Sequence, residues 1–272
     1  MSGDAHLRAT RSCFDRGAAR YDALAGVQRE VAARLMEELA EAGAPARILE
    51  AGCGSGQLTR LLLARFPEAR VDAFDVSARM LEAARAAAPG AERVRWIRSD
   101  FEHYTAPAPY PLIASSSALH WAGSLPAAAE NLARLAAPGG GLAIALMLEG
   151  TLEELHAARA RAAPRKAPPG RMPRADEVRA ALEVAGFNIA AAGTYERESA
   201  YGSARELLHE LHAQGLTGGT RFRPAAALTR GELEALAAAY PGADGGEGVR
   251  ATYRIGWFRA VRESGPPCVA GE

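Results

Sequence analysis

Apolar residues recur at helical spacing from Val27 to Ala42, with Val31, Leu35 and Leu39 on one face, until Gly43 and Pro45 end the pattern. A short apolar run, Arg47 to Glu50, then enters a glycine-rich turn, and helical spacing resumes from Gln57 to Arg65. Strand patterns over Val71 to Asp75, Val94 to Ser99, Leu112 to Ser116 and Leu142 to Leu148 alternate with helical ones over Ser77 to Ala88 and Leu125 to Ala136. Parallel strands need a crossover, ordinarily a helix, so this alternation predicts a doubly wound, mostly parallel α/β sheet.

The second half is less regular. Helical spacing covers Thr151 to Ala162, Ala175 to Ala185, Ala204 to Gln214 and Thr229 to Ala239. Strand-like runs at Asn188 to Ser199 and Val249 to Val261 bring the expected sheet to seven strands. A Pro/Arg-rich linker spans Pro164 to Pro173, and with the two late helices it reads as an insertion near the carboxyl end that covers a site.

Composition narrows the function classes. The 272 residues fit one domain, and Lys+Arg 32 balances Asp+Glu 32, which argues against a chain-wide nucleic-acid or membrane-surface role. Cys13, Cys53 and Cys268 lack disulfide or metal-ligand spacing, so no metal site is expected. The polar amino terminus resembles no signal peptide and no apolar run is long enough to span a bilayer; the expectation is a soluble cytoplasmic protein.

The candidate chemistry sits in Glu50-Ala51-Gly52-Cys53-Gly54-Ser55-Gly56. Glycines between a strand and a helix let backbone approach a ligand. A dinucleotide fingerprint spaces its last two glycines three residues apart and holds a pyrophosphate on the helix that follows. Here the glycines alternate strictly behind a carboxylate, which repels phosphate and suits an ammonium group. Asp75 ends the second strand, where an acid accepts from ribose hydroxyls, and Asp100 with Phe101 follows the third, placed for an adenine amine and its ring. Any one of these acids reads equally well as a cap or a solvated strand end. Together, at the carboxyl edge of successive strands, they indicate a nucleoside.

These motifs resemble the class I S-adenosylmethionine-dependent methyltransferases over roughly Phe14 to Leu148. The resemblance implies a Rossmann-like methyltransferase fold, with Gly52, Gly54 and Gly56 along the methionine part of S-adenosyl-L-methionine, Asp75 on its ribose and Asp100 on its adenine. It also implies Val76, Met80, Ser115 and Ser116 as cofactor contacts. A closer likeness, to the malonyl-[acyl-carrier-protein] O-methyltransferases of biotin synthesis, lies outside that core. It rests on Phe14, Ala18, Tyr21-Asp22, Ala25 and Gln28; on Ser115 through Trp121; on Gly150-Thr151-Leu152-Glu153-Glu154-Leu155; and on Thr229 to Leu233, Ala239 to Pro241 and Thr252-Tyr253. A departure is Tyr110-Pro111, where many members carry Tyr-Asp.

The closer resemblance implies methyl transfer to the free carboxylate of a malonyl thioester on acyl-carrier protein. A carboxylate is ionised at neutral pH and needs no general base, so alignment and desolvation suffice. Tyr21 and Trp121 are the catalytic candidates; Phe14, Tyr21 and Gln28 are candidate lid residues over the cofactor, with His120 standing behind Trp121. The expected layout is lid helices over 1–45, a cofactor core over 46–150 and substrate-side elements over 151–272. An acidic carrier needs a basic surface, for which Arg165, Lys166, Arg171 and Arg174, or Arg221 and Arg223, are the candidates. Two other readings stay open: methylation of a free small carboxylic acid of trans-aconitate type, and a non-catalytic S-adenosylmethionine-binding module.

Overall fold

The computed structural model describes residues 3–39, 43–166, 170–216, 227–242 and 248–264. Seven strands form one sheet in the order β3-β2-β1-β4-β5-β7-β6. They are β1 (Arg47–Ala51), β2 (Arg70–Asp75), β3 (Val94–Arg98), β4 (Tyr110–Ser116), β5 (Ala136–Met147), β6 (Phe187–Tyr201) and β7 (Val249–Arg262). The first five pair in parallel, and β7 runs antiparallel to both of its neighbours. The predicted mostly parallel, doubly wound sheet is therefore the fold. Strand order reverses between β1 and β4, and the crevice at such a point is where open α/β sheets take ligands.

Period-two alternation explains the two-sided burial. Ile48, Ala73, Leu112, Ala143 and Ala145 join one core with α2 (Gly26–Glu37) and α3 (Gln57–Arg65). Their neighbours Leu49, Phe74, Ile113, Ile144 and Leu146 join a second with α5 (Leu125–Leu135) and α7 (Ala175–Val184). Between these two crossovers, α4 (Ala78–Ala87) links β2 to β3, its amino end capped by Ser77.

One boundary differs from the sequence reading. The strand expected from Leu142 begins at Ala136 and runs through Pro138 and three glycines. A side chain on Gly140 would stand 2.9 Å from the Tyr110 carbonyl, so only glycine admits this approach. The register shifts between Tyr110 and Leu112, across Pro111, which has no N–H to give the ladder. Tyr110 is fully buried, its hydroxyl bonded to Tyr104 and Asp72.

The helical insertion falls between β6 and β7, as α8 (Ala204–Ala213) and α9 (Arg230–Ala239). Helix α9 packs on α6 (Glu153–Ala162), and α8 packs on α1 (Gly3–Leu24). Beside that last contact, α1 meets the turn after α8 backbone to backbone. Cβ atoms on Gly17 and Gly215 would lie 2.5 Å from the Gln214 carbonyl oxygen and 2.3 Å from that of Cys13. The Gln214 amide then donates to the carbonyl of Leu24 at 3.1 Å. At the other end of α1, His6 Nε2 meets the Trp121 carbonyl at 2.7 Å. No helix among the described residues is long and apolar enough to cross a membrane.

Candidate active site

The glycine loop leaves β1 with Gly52, Gly54 and Gly56 all at positive φ, between +52° and +81°. A Cβ on Gly52 would stand 2.4 Å from that of Ala118, whereas one on Gly54 would meet nothing within 4 Å. Gly54 thus presents bare backbone to a cavity that a ligand can fill. The cavity wall includes Glu50, Asp75, Val76, Met80, Asp100, Phe101 and Ser116, with Phe14, Tyr21 and Gln28 coming from α1 and α2.

Electrostatics mark the same place. Glu50 is 1% exposed and its Oε2 has no hydrogen-bond partner. Burial pushes its carboxyl up to about 8, and the Asp75 charge adds to the effect. Burial also raises Asp75, to about 6, against two backbone donors: Gly54 N–H at 2.9 Å and Ser77 N–H at 2.8 Å. Each of its oxygens retains a lone pair for a further donor. Asp100 directs Oδ1 to the N–H groups of Glu102 and His103, both at 2.9 Å, and to the His103 ring at 2.8 Å. A buried carboxylate with one unpartnered oxygen, beside open backbone, fits a ligand that brings an ammonium group and hydroxyl donors.

Asp22 pins α1 over this loop. Its carboxylate accepts from Ser55 Oγ at 3.0 Å, Gln57 Nε2 at 3.2 Å and Arg60 at 3.0 Å. Sequence reading noted Asp22 only beside Tyr21; the residues it holds lie more than thirty positions away. Ser115 does not belong to the wall. Strand alternation turns it from Ser116's side, and its hydroxyl donates to the Ala51 carbonyl at 2.7 Å.

A second, larger cavity of about 1190 Å³ adjoins the first. The two share Tyr21, Gln28, Ser117 and Trp121. Phe14 bridges the aromatic members edge to face, 6.2 Å from the Tyr21 ring and 5.1 Å from Trp121. Ser117, which the sequence reading noted only within the Ser115 to Trp121 run, holds φ at 54°, an uncommon value for a residue with a side chain. His120 lines the large cavity directly, its Nδ1 accepting from Met147 N–H at 3.4 Å. Among the described lining residues that carry charge, Arg8, Arg16, Arg159, Arg205 and Arg230 are cationic and Glu234 alone is acidic.

Basic residues of the linker are ion-paired within the chain. Lys166 pairs with Glu232 at 2.5 Å. Arg171 is held by Glu177 at 2.7 Å, and Arg174 by Asp176 at 3.0 Å. Those acids occupy the first turn of α7, where the helix dipole favours them, just beyond the stretch that looked uniformly basic. Arg165 is exposed on a turn. Arg221 and Arg223 lie outside the described residues.

The run Gly150 to Leu155 is a joint. Thr151 Oγ1 donates to the Arg254 carbonyl at 3.1 Å and accepts from Arg254 N–H at 3.0 Å. Leu152 N–H donates to the Thr252 carbonyl at 2.6 Å, and Glu154 accepts from Thr252 N–H at 3.2 Å. The family-like strand Thr252-Tyr253 is therefore the other half of one contact, which fixes α6 beside the large cavity.

Comparison with known proteins gives the family and the fold. Residues 48–140 match the family model of a methyltransferase domain. A malonyl-[acyl-carrier protein] O-methyltransferase of Halorhodospira halophila is 35% identical over 96% of this chain and 89% of its own. Another, from Methylococcus capsulatus, is 34% identical over 84% and 83%. Among solved structures, the N-methyltransferase NodS of Bradyrhizobium japonicum, in complex with S-adenosyl-L-homocysteine, superposes with a TM-score of 0.55 at 15% identity, over 93% of this chain and 98% of its own. YcgJ of Bacillus subtilis gives 0.61 at 16% identity, over 86% and 99%. At such identities the structures speak for the fold alone.

Proposed function

This chain belongs to the malonyl-[acyl-carrier protein] O-methyltransferase family, and we propose that it methylates the free carboxylate of a malonyl thioester carried on acyl-carrier protein, the step that supplies a methyl ester to biotin synthesis. It is an enzyme, an S-adenosylmethionine-dependent O-methyltransferase. The observation that carries the substrate reading is the large cavity itself: it joins the glycine-loop cavity only at Tyr21, Gln28, Ser117 and Trp121, and its charged wall is basic.

S-adenosylmethionine supplies an electrophilic methyl on a sulfonium sulfur. The residues around the smaller cavity suit it: Glu50 faces an ammonium, Asp75 accepts from ribose hydroxyls, Asp100 and Phe101 serve the adenine, and Gly52, Gly54 and Gly56 give backbone access. Val76, Met80 and Ser116 complete the wall; Ser115 acts only by holding β4 to β1. Tyr21 and Trp121, with Phe14 packed against both, exclude water where the cavities meet and align the incoming carboxylate, which is ionised without a base. In this reading residues 1–45 are the lid, 46–150 hold the cofactor and 151–272 form the substrate side.

The carrier is acidic in this reading, and the basic rim of the large cavity replaces the linker as its landing surface. Arg8, Arg16 and Arg205 are exposed there, on α1 and α8. Incubation with labelled methyl donor and malonyl-carrier protein, followed by mass measurement of the carrier, tests the reading. One added methyl, removable by mild ester hydrolysis, is expected. Label on a free dicarboxylic acid, with the carrier untouched, would overturn it in favour of a small-acid methyltransferase.

A further inference from the structure

A third cavity, of about 530 Å³, opens from the far side of the large one. The two share Thr151, His156, Arg159 and Met172, and none of the residues lining the third cavity touches the glycine-loop cavity. The three spaces thus run in series, with the reacting end at Tyr21 and Trp121 and the opposite end at α6.

Arg159 stands in that opposite wall with a guanidinium nitrogen, Nη2, buried and without a hydrogen-bond partner. Its neighbours do not supply one. Glu232, the acid whose charge it feels, spends Oε2 on Lys166 Nζ at 2.5 Å, Thr229 N–H at 2.7 Å and Thr229 Oγ1 at 3.0 Å. Arg171 takes Glu177, and Glu153 is paired with Arg254 at 3.3 Å. His156, one turn earlier on the same face of α6, is kept towards its neutral form by burial and by Arg159 itself. Partial burial lowers the Arg159 pKa as well, and its one buried nitrogen is left unsatisfied in the empty protein. The cost of an unsatisfied buried donor is offset when a ligand brings an anion.

We propose that Arg159 binds the phosphate of the substrate's pantetheine arm, holding the arm where the large and third cavities meet while its acyl end lies at Tyr21. The carboxylate that accepts the methyl is not the anion concerned, because it must reach the other junction. This assignment rests on the carrier reading only in naming the arm. Arg159 is a specificity-determining residue, remote from the reacting atoms.

The test compares binding of 4′-phosphopantetheine and of pantetheine, by calorimetry, to the wild-type chain, Arg159→Met and Arg159→Lys. The wild type should prefer the phosphorylated compound by about tenfold or more, the scale of a hydrogen bond to a charged group. Arg159→Met should lose the preference without losing affinity for pantetheine, and Arg159→Lys should keep part of it. Thermal unfolding of Arg159→Met should come no lower than wild type, since a guanidinium with one buried, unpartnered nitrogen is removed; a structural arginine would show the opposite. Equal binding of both compounds by the wild type, or an undiminished preference in Arg159→Met, would overturn the assignment. If malonyl-carrier protein is not methylated while the phosphate preference persists, the substrate reading fails and this one stands.

Discussion

Glu50 and Asp75 face one cavity from the ends of neighbouring strands, and burial raises both carboxyls above their ordinary range, to about 8 and about 6. An acid whose folded pKa is raised binds protons on folding. The contribution of these two carboxyls to the stability of the cofactor-free protein is then fully present below the ordinary carboxylate pKa and is lost as pH rises through about 6 for Asp75 and about 8 for Glu50. A bound ammonium group restores the ionised Glu50, so cofactor binding near pH 7 should release up to about one proton. Calorimetry in buffers of different ionisation enthalpy reads this directly, and Glu50→Gln should abolish the release. No buffer dependence in the wild type would contradict the placement of Glu50.

Gly52→Ala should be severe. Its Cβ would press to 2.4 Å on Ala118 at a φ of +73°. Backbone strain and overpacking together should cost about 1–3 kcal/mol of stability. Cofactor affinity should drop as well, whereas Gly26→Ala, with nothing within 4 Å, should leave both intact. Chemical denaturation and cofactor titration check the pair.

Tyr21 separates alignment from binding. It lines both cavities and packs against Phe14. Tyr21→Ala should lower kcat by more than it weakens cofactor binding, because the interaction lost is one that positions the reacting groups. Tyr21→Phe, which keeps the ring, tells whether the hydroxyl takes part. An unchanged kcat in both would reduce Tyr21 to helix packing.

Charge reversal distinguishes the two basic surfaces. Replacing Arg8, Arg16 and Arg205 by Glu should raise KM for the carrier-bound substrate and flatten its salt dependence, since exposed charges act over a Debye length of about 8 Å at physiological salt. Arg171→Glu with Arg174→Glu should leave KM unchanged, those cations being spent on Glu177 and Asp176. The reverse pattern would return the landing surface to the linker.

What was legible in the sequence was what is local. The order of strands and helices follows from periodicities within a dozen residues, and the alternating glycines with Glu50, Asp75 and Asp100 mark one edge of a sheet by position alone. The errors share a cause. Ser115 and Ser116 differ only in which face of β4 each occupies, which a run of three serines does not reveal. The linker looked basic because the acids that neutralise it start at Asp176, two residues past Arg174. Arg159 went unnoticed because an arginine in a polar helix is ordinary until α9 and the linker close around it. The Gly150 to Leu155 run was recognised by likeness, but its partner at Thr252 is about a hundred positions away, and only the fold joins them.

The glycine contact between α1 and the turn after α8 ties the two helices to each other. Helix α1 roofs the cofactor's chamber with Phe14 and Tyr21 and also walls the large one with Arg8, Ser12 and Arg16. At Gly17 and Gly215 no side chain can yield between it and α8, which walls the large chamber from the other side. A displacement of α1 would therefore uncover both chambers together.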